Sequence, residues 1–376
     1  MSKFLIISHV SHKYQNKSWY GYAPYVREMN IWLKYVNELT IVAPISQDLP
    51  TAIDLAYQHD SIVVKPIPKI AFVNLKRVLT SLFAMPVIIF KLFLACKRAD
   101  HIHLRCPGNI GLLGCLVQLF FPKKIKTAKY AGNWDPNSKQ PLSYRLQKWL
   151  LSNTSLTRNM TALVYGDWPN QTKNIKSFFT ATFTEAEKEP LKVRDYSGTL
   201  EFIFVGSLVE GKRPLFAIQL IEQLLDNGQE VRLHIFGDGV LRSELEHYIK
   251  THQLESHIVL HGNQPKDVIK TYYETSHFLI LASKSEGWPK VVAEAMFFGV
   301  IPLSTRVSCV PTMLGHGQRG ILIEADLDQA VKVFNSYTEA NFKSMSIQAL
   351  EWSQAYTLDR FDREIRDLIL FEENRE

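Results

Sequence analysis

Between residues 200 and 325, six short apolar runs alternate with helix-like segments, and this alternation constrains the fold more than any other feature of the chain. The runs are EFIFVG (201–206), VRLHIFG (231–237), HIVLHG (257–262), HFLILAS (277–283), VIPLST (300–305) and GILIEA (320–325). Between the first two, RPLFAIQLIEQLLDNG places Leu215, Ile218, Ile221 and Leu225 on one stripe, with Gly228 as a helix stop. Strands that read as continuous apolar runs are covered on both faces, which predicts a doubly wound α/β unit with a parallel sheet. Ligands in such sheets bind at the carboxyl ends of the strands. Gly206, the Gly237-Asp238-Gly239 turn, Gly262 and the Ser285–Lys290 loop all fall there.

The front half repeats the pattern less regularly, with strands expected at FLIIS, ELTIVAP, SIVVKPI, HIHLR, KIKTAKYAG and TALVYG. Residues 185–199 are charged and lack a core pattern, as a linker would. The last residues carry Phe361, Ile365 and Leu368 at helical spacing. The expected division is a front domain over 1–190, a back domain over 191–350 and a C-terminal helix over 351–376.

A chain of 376 residues accommodates two domains, and 46% apolar with 21% charged residues is a globular composition. The net charge of +6 combines a balance of +14 over residues 1–200 with −8 over 201–376. A basic front half suggests an anionic partner: nucleic acid, a membrane surface or a phosphorylated substrate. Its basic residues are interspersed with apolar positions and no DNA- or RNA-binding motif accompanies them, so a nucleic-acid-binding protein is the weaker alternative. No GxGxxG follows a strand, which disfavours a dinucleotide oxidoreductase. Cys96, Cys106, Cys115 and Cys309 show no CxxC or His pairing and read as reduced thiols of a cytosolic protein rather than as a zinc site. The five-residue apolar run before His9 is too short for a signal peptide. The expected location is therefore cytoplasmic.

Within SEGWPKVVAEAMFFG (285–299), the segment Val291–Phe298 is apolar all round except for Glu294. Such a helix is expected to be buried, and a buried carboxylate needs hydrogen-bond donors. Pro289 suits the first helical position, and Trp288 before it is a poor cap. The amides of Lys290, Val291 and Val292 are then expected to lack partners, forming an anion site to which Lys290 adds charge. Glu286 flanks it from the loop. Two carboxylates bracketing a phosphate seat suggest a nucleotide sugar, with Glu294 on the ribose hydroxyls.

The stretch SEGWPKVVAEAMFFGVIPLST resembles the E-x7-E signature of retaining family 4 glycosyltransferases. FVGSLVEGKRP resembles their phosphate-binding strand and loop, and IFGDGVLRSELE their Gly-Asp-Gly turn. The resemblance covers about 200–330 and implies the GT-B fold, two Rossmann-like domains facing across a cleft, with the C-terminal helix returning to the first. It also implies a metal-independent hexosyltransferase with a nucleotide sugar, UDP- or GDP-linked, as substrate and no cofactor. Its acceptor would be a glycan or lipid-linked glycan of bacterial surface polysaccharide synthesis. Carried over, Glu286 contacts the transferred sugar, Glu294 the ribose and Lys212 the diphosphate. Gly206, Ser207, Gly237, Gly287, Trp288, Pro289, Lys290 and Val291 line the donor. Two departures stand out. Ser207 replaces the usual Arg, and KYAGNWDPN carries Asn133 where many members have a His. Asn133 is then the catalytic hydrogen-bonding candidate, with Arg105, Trp134, Asp135, His9 and His12 on the acceptor side. A GT-B nucleotide-sugar epimerase would bind the same donor and remains an alternative.

Two further segments carry competing readings. DLD (326–328) is spaced like a metal-binding motif but reads as a helix start. KRVLTSLFAMPVIIFKLFLACKRAD (76–100) is either a buried domain helix or a monotopic surface. Its uncharged run from Val78 to Phe90 contains Pro86 and is too short to span a bilayer. Lys76, Arg77, Lys91, Lys97 and Arg98 would face an anionic membrane surface.

Overall fold

The computed structural model describes residues 3–51, 53–70, 75–192 and 194–373; side chains at 75–78 and 371–373, hence those of Lys76 and Arg77, lie outside the described residues. The chain forms two units, Met1–Phe179 with Asp362–Glu376, and Thr180–Phe361. The first boundary thus falls before the expected 190, and the return to the first unit comes at 362 rather than 351.

The first unit contains β1 (Lys3–Ile7), β2 (Lys13–Gln15), β3 (Ser18–Tyr22), α1 (Ala23–Leu33), β4 (Glu38–Ala43), β5 (Asp54–Ala56) and β6 (Ile62–Pro66). It continues with α2 (Leu75–Arg98), β7 (His101–Cys106), α3 (Asn109–Val117), β8 (Ile125–Tyr130), α4 (Leu142–Ser152), β9 (Met160–Tyr165) and β10 (Ile175–Phe178). Seven strands form a parallel sheet in the order β10-β9-β8-β7-β1-β4-β6. In β1, Phe4 and Ile6 point to one face and Leu5 and Ile7 to the other, and all four are buried. Both faces of the sheet are therefore covered. Right-handed crossovers put α2, α3 and α4 on one face, and α3 packs against both neighbours.

Two features of this unit were not expected. β10 extends the sheet beyond β9, and β2, β3 and β5 form a separate antiparallel sheet. The β2–β3 turn is the two-residue Asn16-Lys17, with φ of 49° and 63°. Positive φ at both positions makes the tight turn that matches strand twist. Asn-Lys lacks the glycine by which such turns are normally spotted in a sequence.

The second unit contains β11 (Leu200–Val205), α5 (Pro214–Asp226), β12 (Val231–Phe236), α6 (Arg242–Thr251), β13 (Ile258–Gly262), α7 (Lys266–Thr275) and β14 (Phe278–Leu281). After these come α8 (Lys290–Phe297), β15 (Ile301–Thr305), α9 (Val310–Met313), β16 (Ile321–Ile323), α10 (Leu327–Phe334) and α11 (Glu339–Ser353). The final helix α12 (Leu358–Glu373) starts here, and its residues from Asp362 belong to the first unit. There, Asp362 accepts a hydrogen bond from Tyr35 and Glu364 pairs with Lys176 at 2.7 Å. The parallel sheet runs β13-β12-β11-β14-β15-β16, and all six expected strands are present.

Residues 185–199 are no linker. Glu187, Glu189 and Lys192 pair with Lys266, Lys270 and Glu274 of α7, and buried Arg194 donates to the carbonyls of Tyr273 and Phe298. The charge that suggested solvent is spent on a charged helix. Asp326 caps α10 by accepting from the Gln329 amide at 2.8 Å, so DLD is a helix start. The four cysteines are free and buried.

His12 is fully buried, with Nδ1 2.9 Å from the Val10 carbonyl and Nε2 2.7 Å from the Tyr57 hydroxyl. It is a structural residue of the first unit, not the acceptor-side group expected. Burial lowers its pKa from 6.5 to about 4. Between these values the unfolded chain binds a proton that the folded one refuses, so stability falls as pH drops through that window. Urea unfolding should show His12 alone costing on the order of 3 kcal/mol across it. His12→Gln should flatten that pH dependence, and an unchanged slope would contradict the assignment.

Candidate functional site

In the sheet of the second unit the chain proceeds outward from β11 to β12 and β13, then returns to β14 and proceeds to β15 and β16. The direction reverses between β11 and β14, and the loops leaving their carboxyl ends diverge around a crevice. The Gly206–Arg213 loop leaves β11 and the Ala282–Pro289 loop leaves β14. Three contacts join them. Lys212 Nζ lies 2.5 Å from Glu286 Oε1, the Lys284 amide donates to the Gly211 carbonyl at 2.8 Å, and Arg213 donates to the Ala282 carbonyl at 3.0 Å. The carboxylate of Glu286 is almost wholly shielded, with 9% of its side chain exposed, while Lys212 keeps 29%. Two residues picked out separately in the sequence are therefore one ion pair.

The β15 side holds the second loop in place. Thr305 donates to the Ser283 carbonyl at 2.9 Å, and Ser308 and Cys309 both donate to the Gly287 carbonyl, at 3.0 and 3.3 Å. Trp288 stacks on Trp352 and packs against Tyr356. Helix α8 then begins one residue later than expected. Pro289 is its N-cap rather than its first residue, and no side chain among the described residues caps it. The Val292 amide donates to the Pro289 carbonyl at 3.0 Å, which removes it from the expected anion site.

Glu294 is half-buried, not buried, and its partners lie within the second unit. Thr182 donates to Oε1 at 2.6 Å and Tyr273 approaches Oε2 at 3.4 Å. Burial first, then the nearby Glu294 charge, raises the Tyr273 pKa well above its usual value, so Tyr273 stays a neutral donor. Each carboxylate oxygen accepts more than one hydrogen bond, and capacity for ligand hydroxyls remains. Nothing in the sequence marked Thr182, because it lies 112 positions away in a segment without pattern. Ser308 and Cys309 had a weak signal, as polar residues just past the carboxyl end of β15.

Gly237 has a structural role. A Cβ there would sit 1.9 Å from the Gly206 carbonyl oxygen, and one on Gly239 would sit 2.5 Å from that of Leu208. These glycines let the turns after β11 and β12 touch. A Cβ on Gly206 would meet nothing closer than the Phe204 ring at 3.8 Å, and Ser207 is exposed.

In the first unit the analogous reversal lies between β1 and β7. His9 follows β1, and Arg105, next to last in β7, holds its guanidinium over the Tyr25 ring at 5.3 Å. Partial desolvation, then the charge of Arg105, lowers the His9 pKa. A cavity of about 370 Å³ here is lined by His9, Pro44, Lys69, Gly108, Asn109 and Tyr144, among others. Lys69, Asn109 and Tyr144 were not expected. Trp134 is buried against Tyr130 and Lys148, in the core rather than on an acceptor surface. Asn133 accepts from the Asp135 amide at 2.9 Å and Asp135 from that of Asn137 at 2.8 Å, so both shape the loop after β8. Neither lines that cavity. A larger one, about 1090 Å³, lies at the amino ends of β9 and β10, the edge opposite the one where such sheets bind ligands.

The sequence model of the family described as glycosyl transferases group 1 matches residues 185–344. The putative colanic acid biosynthesis glycosyltransferase WcaL of Salmonella typhimurium is 31% identical over 138 residues, 35% of this chain and 34% of that protein. The chain spans about a third of the length of the first curated relatives it matches. Among solved structures, sucrose-phosphate synthase of Thermosynechococcus elongatus aligns over 100% of both chains with a TM-score of 0.68 at 12% identity. Anabaena HepE in complex with UDP-glucose aligns over 98% of this chain and 99% of its own, with a TM-score of 0.65 at 14% identity. The fold is therefore GT-B, built of two Rossmann-like α/β units.

Because a side chain at 237 has no space at that φ of 130°, Gly237→Ala should destabilise the second unit by several kcal/mol. Ser207→Ala, at an exposed position, should stay within about 0.5 kcal/mol. Thermal unfolding of the two variants checks this, and equal midpoints would contradict it.

Proposed function

We propose that the chain is a retaining glycosyltransferase. It moves a hexosyl group from a UDP-sugar to a glycan or lipid-linked acceptor in bacterial surface polysaccharide synthesis. The observation that carries the reading is the meeting of Lys212 and Glu286 at the point where the second sheet reverses direction, beside the amino end of α8. It is supported by the glycosyl transferases group 1 match over 185–344, by relatives named for colanic acid and amylovoran biosynthesis, and by structural neighbours bound to UDP, UDP with glucose, or UDP-glucose.

In this reading the donor lies in the second unit. The ribose hydroxyls share the Glu294 carboxylate with Thr182, the diphosphate takes the Lys212 ammonium and the amino end of α8, and Glu286 accepts hydrogen bonds from the sugar. Lys212 and Glu286 thus exchange partners, each giving up the other for a donor group. The anomeric carbon then loses its bond to the diphosphate oxygen while the acceptor hydroxyl oxygen bonds to it from the same face. The acceptor's proton passes to the departing diphosphate. Charge builds on that leaving group, so a preorganised ammonium and backbone dipoles lower the barrier where they sit. Charge compensation is assigned to Lys212, with Ser207 standing where the resemblance has Arg. The acceptor side is assigned to His9 and Arg105, at the reversal of the first sheet.

UDP at about 100 times its dissociation constant should stabilise the protein by about 2.7 kcal/mol, a shift of a few degrees in the unfolding midpoint. Glu294→Ala should remove most of that shift. Lys212→Ala should lower turnover of the UDP-sugar by about 100- to 1000-fold. Product analysis by NMR should show a glycoside of the donor's anomeric configuration. An epimerised UDP-sugar without glycoside would replace transfer by epimerisation, and no stabilisation by any nucleotide would overturn both.

A further inference from the structure

Helix α2 has a core side and an outer side, and both are apolar. Ser81, Ile88, Leu92, Ala95 and Cys96 are buried against the first unit's sheet and neighbouring helices. The outer half presents Leu79, Leu82, Phe83, Val87, Ile89, Phe90 and Phe93 to solvent, Phe83 at 81% and Phe90 at 62% exposure. From Leu79 to Leu94 that half holds no charged side chain, and Lys91, half-buried, donates to the Pro66 carbonyl at 2.7 Å. A surface helix normally places its polar residues there.

The patch extends beyond the helix. Phe93 meets Phe120 edge-on at 6.1 Å, and Phe120 is itself 72% exposed. On α4, which shares that sheet face, Leu142, Leu146 and Trp149 are exposed at helical spacing. Basic residues flank these apolar positions along the chain: Lys97 and Arg98 at the end of α2, Lys123 and Lys124 after Phe121, Lys124 lying 4.0 Å from Asp100, and Arg145 on α4. Monomeric soluble proteins rarely leave so many large apolar side chains of one helix face uncovered.

We propose that this face docks the first unit on a membrane leaflet carrying anionic headgroups. Phe83, Phe90 and Phe93 enter the acyl boundary and the flanking basic residues meet the lipid phosphates. The charge is complementary to such a surface: the first unit, residues 1–179 with 362–376, carries 26 Lys+Arg against 14 Asp+Glu, an excess of 12. Trp149 has the amphipathic ring that suits the headgroup level. Contrary to the expectation from its short uncharged run, the helix over Leu79–Arg98 has the length and composition of a span. Yet Ile88, Leu92 and Cys96 are in the core, and crossing the bilayer would strip them from the sheet. The helix therefore lies in the interface plane. The proposal stands on the first unit alone and is independent of the transferase reading, to which it adds a reason for a lipid-borne acceptor.

The test is flotation of the full chain with vesicles of equal parts phosphatidylcholine and phosphatidylglycerol, against phosphatidylcholine alone, with Phe83→Asp/Phe90→Asp as the variant. Both positions are exposed, so the variant should keep the wild-type unfolding midpoint and its shift with UDP. The wild type should float with the anionic vesicles, less so at ~1 M salt, where the screening length is about 3 Å. The variant should retain at most a tenth of that binding. Failure of the wild type to float, or equal flotation of the variant, would overturn the proposal. So would a wild-type dimer in gel filtration that the variant dissolves, since the face would then belong to a second copy. Flotation without a UDP shift would leave docking standing and count against the transferase reading alone.

Discussion

The candidate site depends on one constraint, that two loops leaving adjacent strands in opposite directions be held together. The reversal between β11 and β14 opens the crevice, and without cross-links its walls would move independently. The Lys212–Glu286 ion pair, the Lys284–Gly211 backbone bond and the Arg213–Ala282 contact close it. Gly237 and Gly239 then bring the next turn within van der Waals distance of the first. Of these links only the ion pair has groups suited to exchange. Each charge is already compensated, so neither is stranded in a shielded place, where an unpaired ion costs several kcal/mol. A ligand that offers an anion to Lys212 and hydroxyls to Glu286 can displace the pair without uncovering either charge. An anion alone would leave the carboxylate unsatisfied. The pair thus discriminates in favour of a ligand carrying both.

Much of the second unit was legible because parallel strands are buried on both faces and leave uninterrupted apolar runs. Its six strands, the positions of Gly206, Glu286 and Glu294, and the helix start at DLD followed from that pattern and from capping chemistry. What was missed has a common cause. Thr182 on Glu294, Ser308 and Cys309 on Gly287, and the pairing of 187–192 with α7 are all contacts between segments distant in sequence. Periodicity reports which face a residue takes, not what meets it there. The same limit explains Glu294. An all-apolar surround in sequence suggested a buried carboxylate, whereas the helix leaves that side half open.

The first unit shows where local pattern fails. His12 and Trp134 follow strands at the edge where ligands bind, which made them candidates, yet both are turned into the core. Sequence position specifies the strand end but not the direction of the side chain beyond it. The antiparallel strands β2, β3 and β5 are short, and their turn lacks a glycine. Helix α2 is the reverse case. Its composition fits a core helix and a surface one equally well, and the structure gives it both characters, with Ile88 and Leu92 buried and Phe83 and Phe90 exposed.

The central claim is that Lys212 and Glu286 release each other to bind a nucleotide sugar. A crystal structure with an unreactive UDP-hexose analogue tests it directly. The account predicts the diphosphate at the amino end of α8 within hydrogen-bond distance of Lys212, a sugar hydroxyl on Glu286 and the ribose on Glu294. An analogue bound elsewhere, or one bound here with the Lys212–Glu286 contact intact, would contradict it.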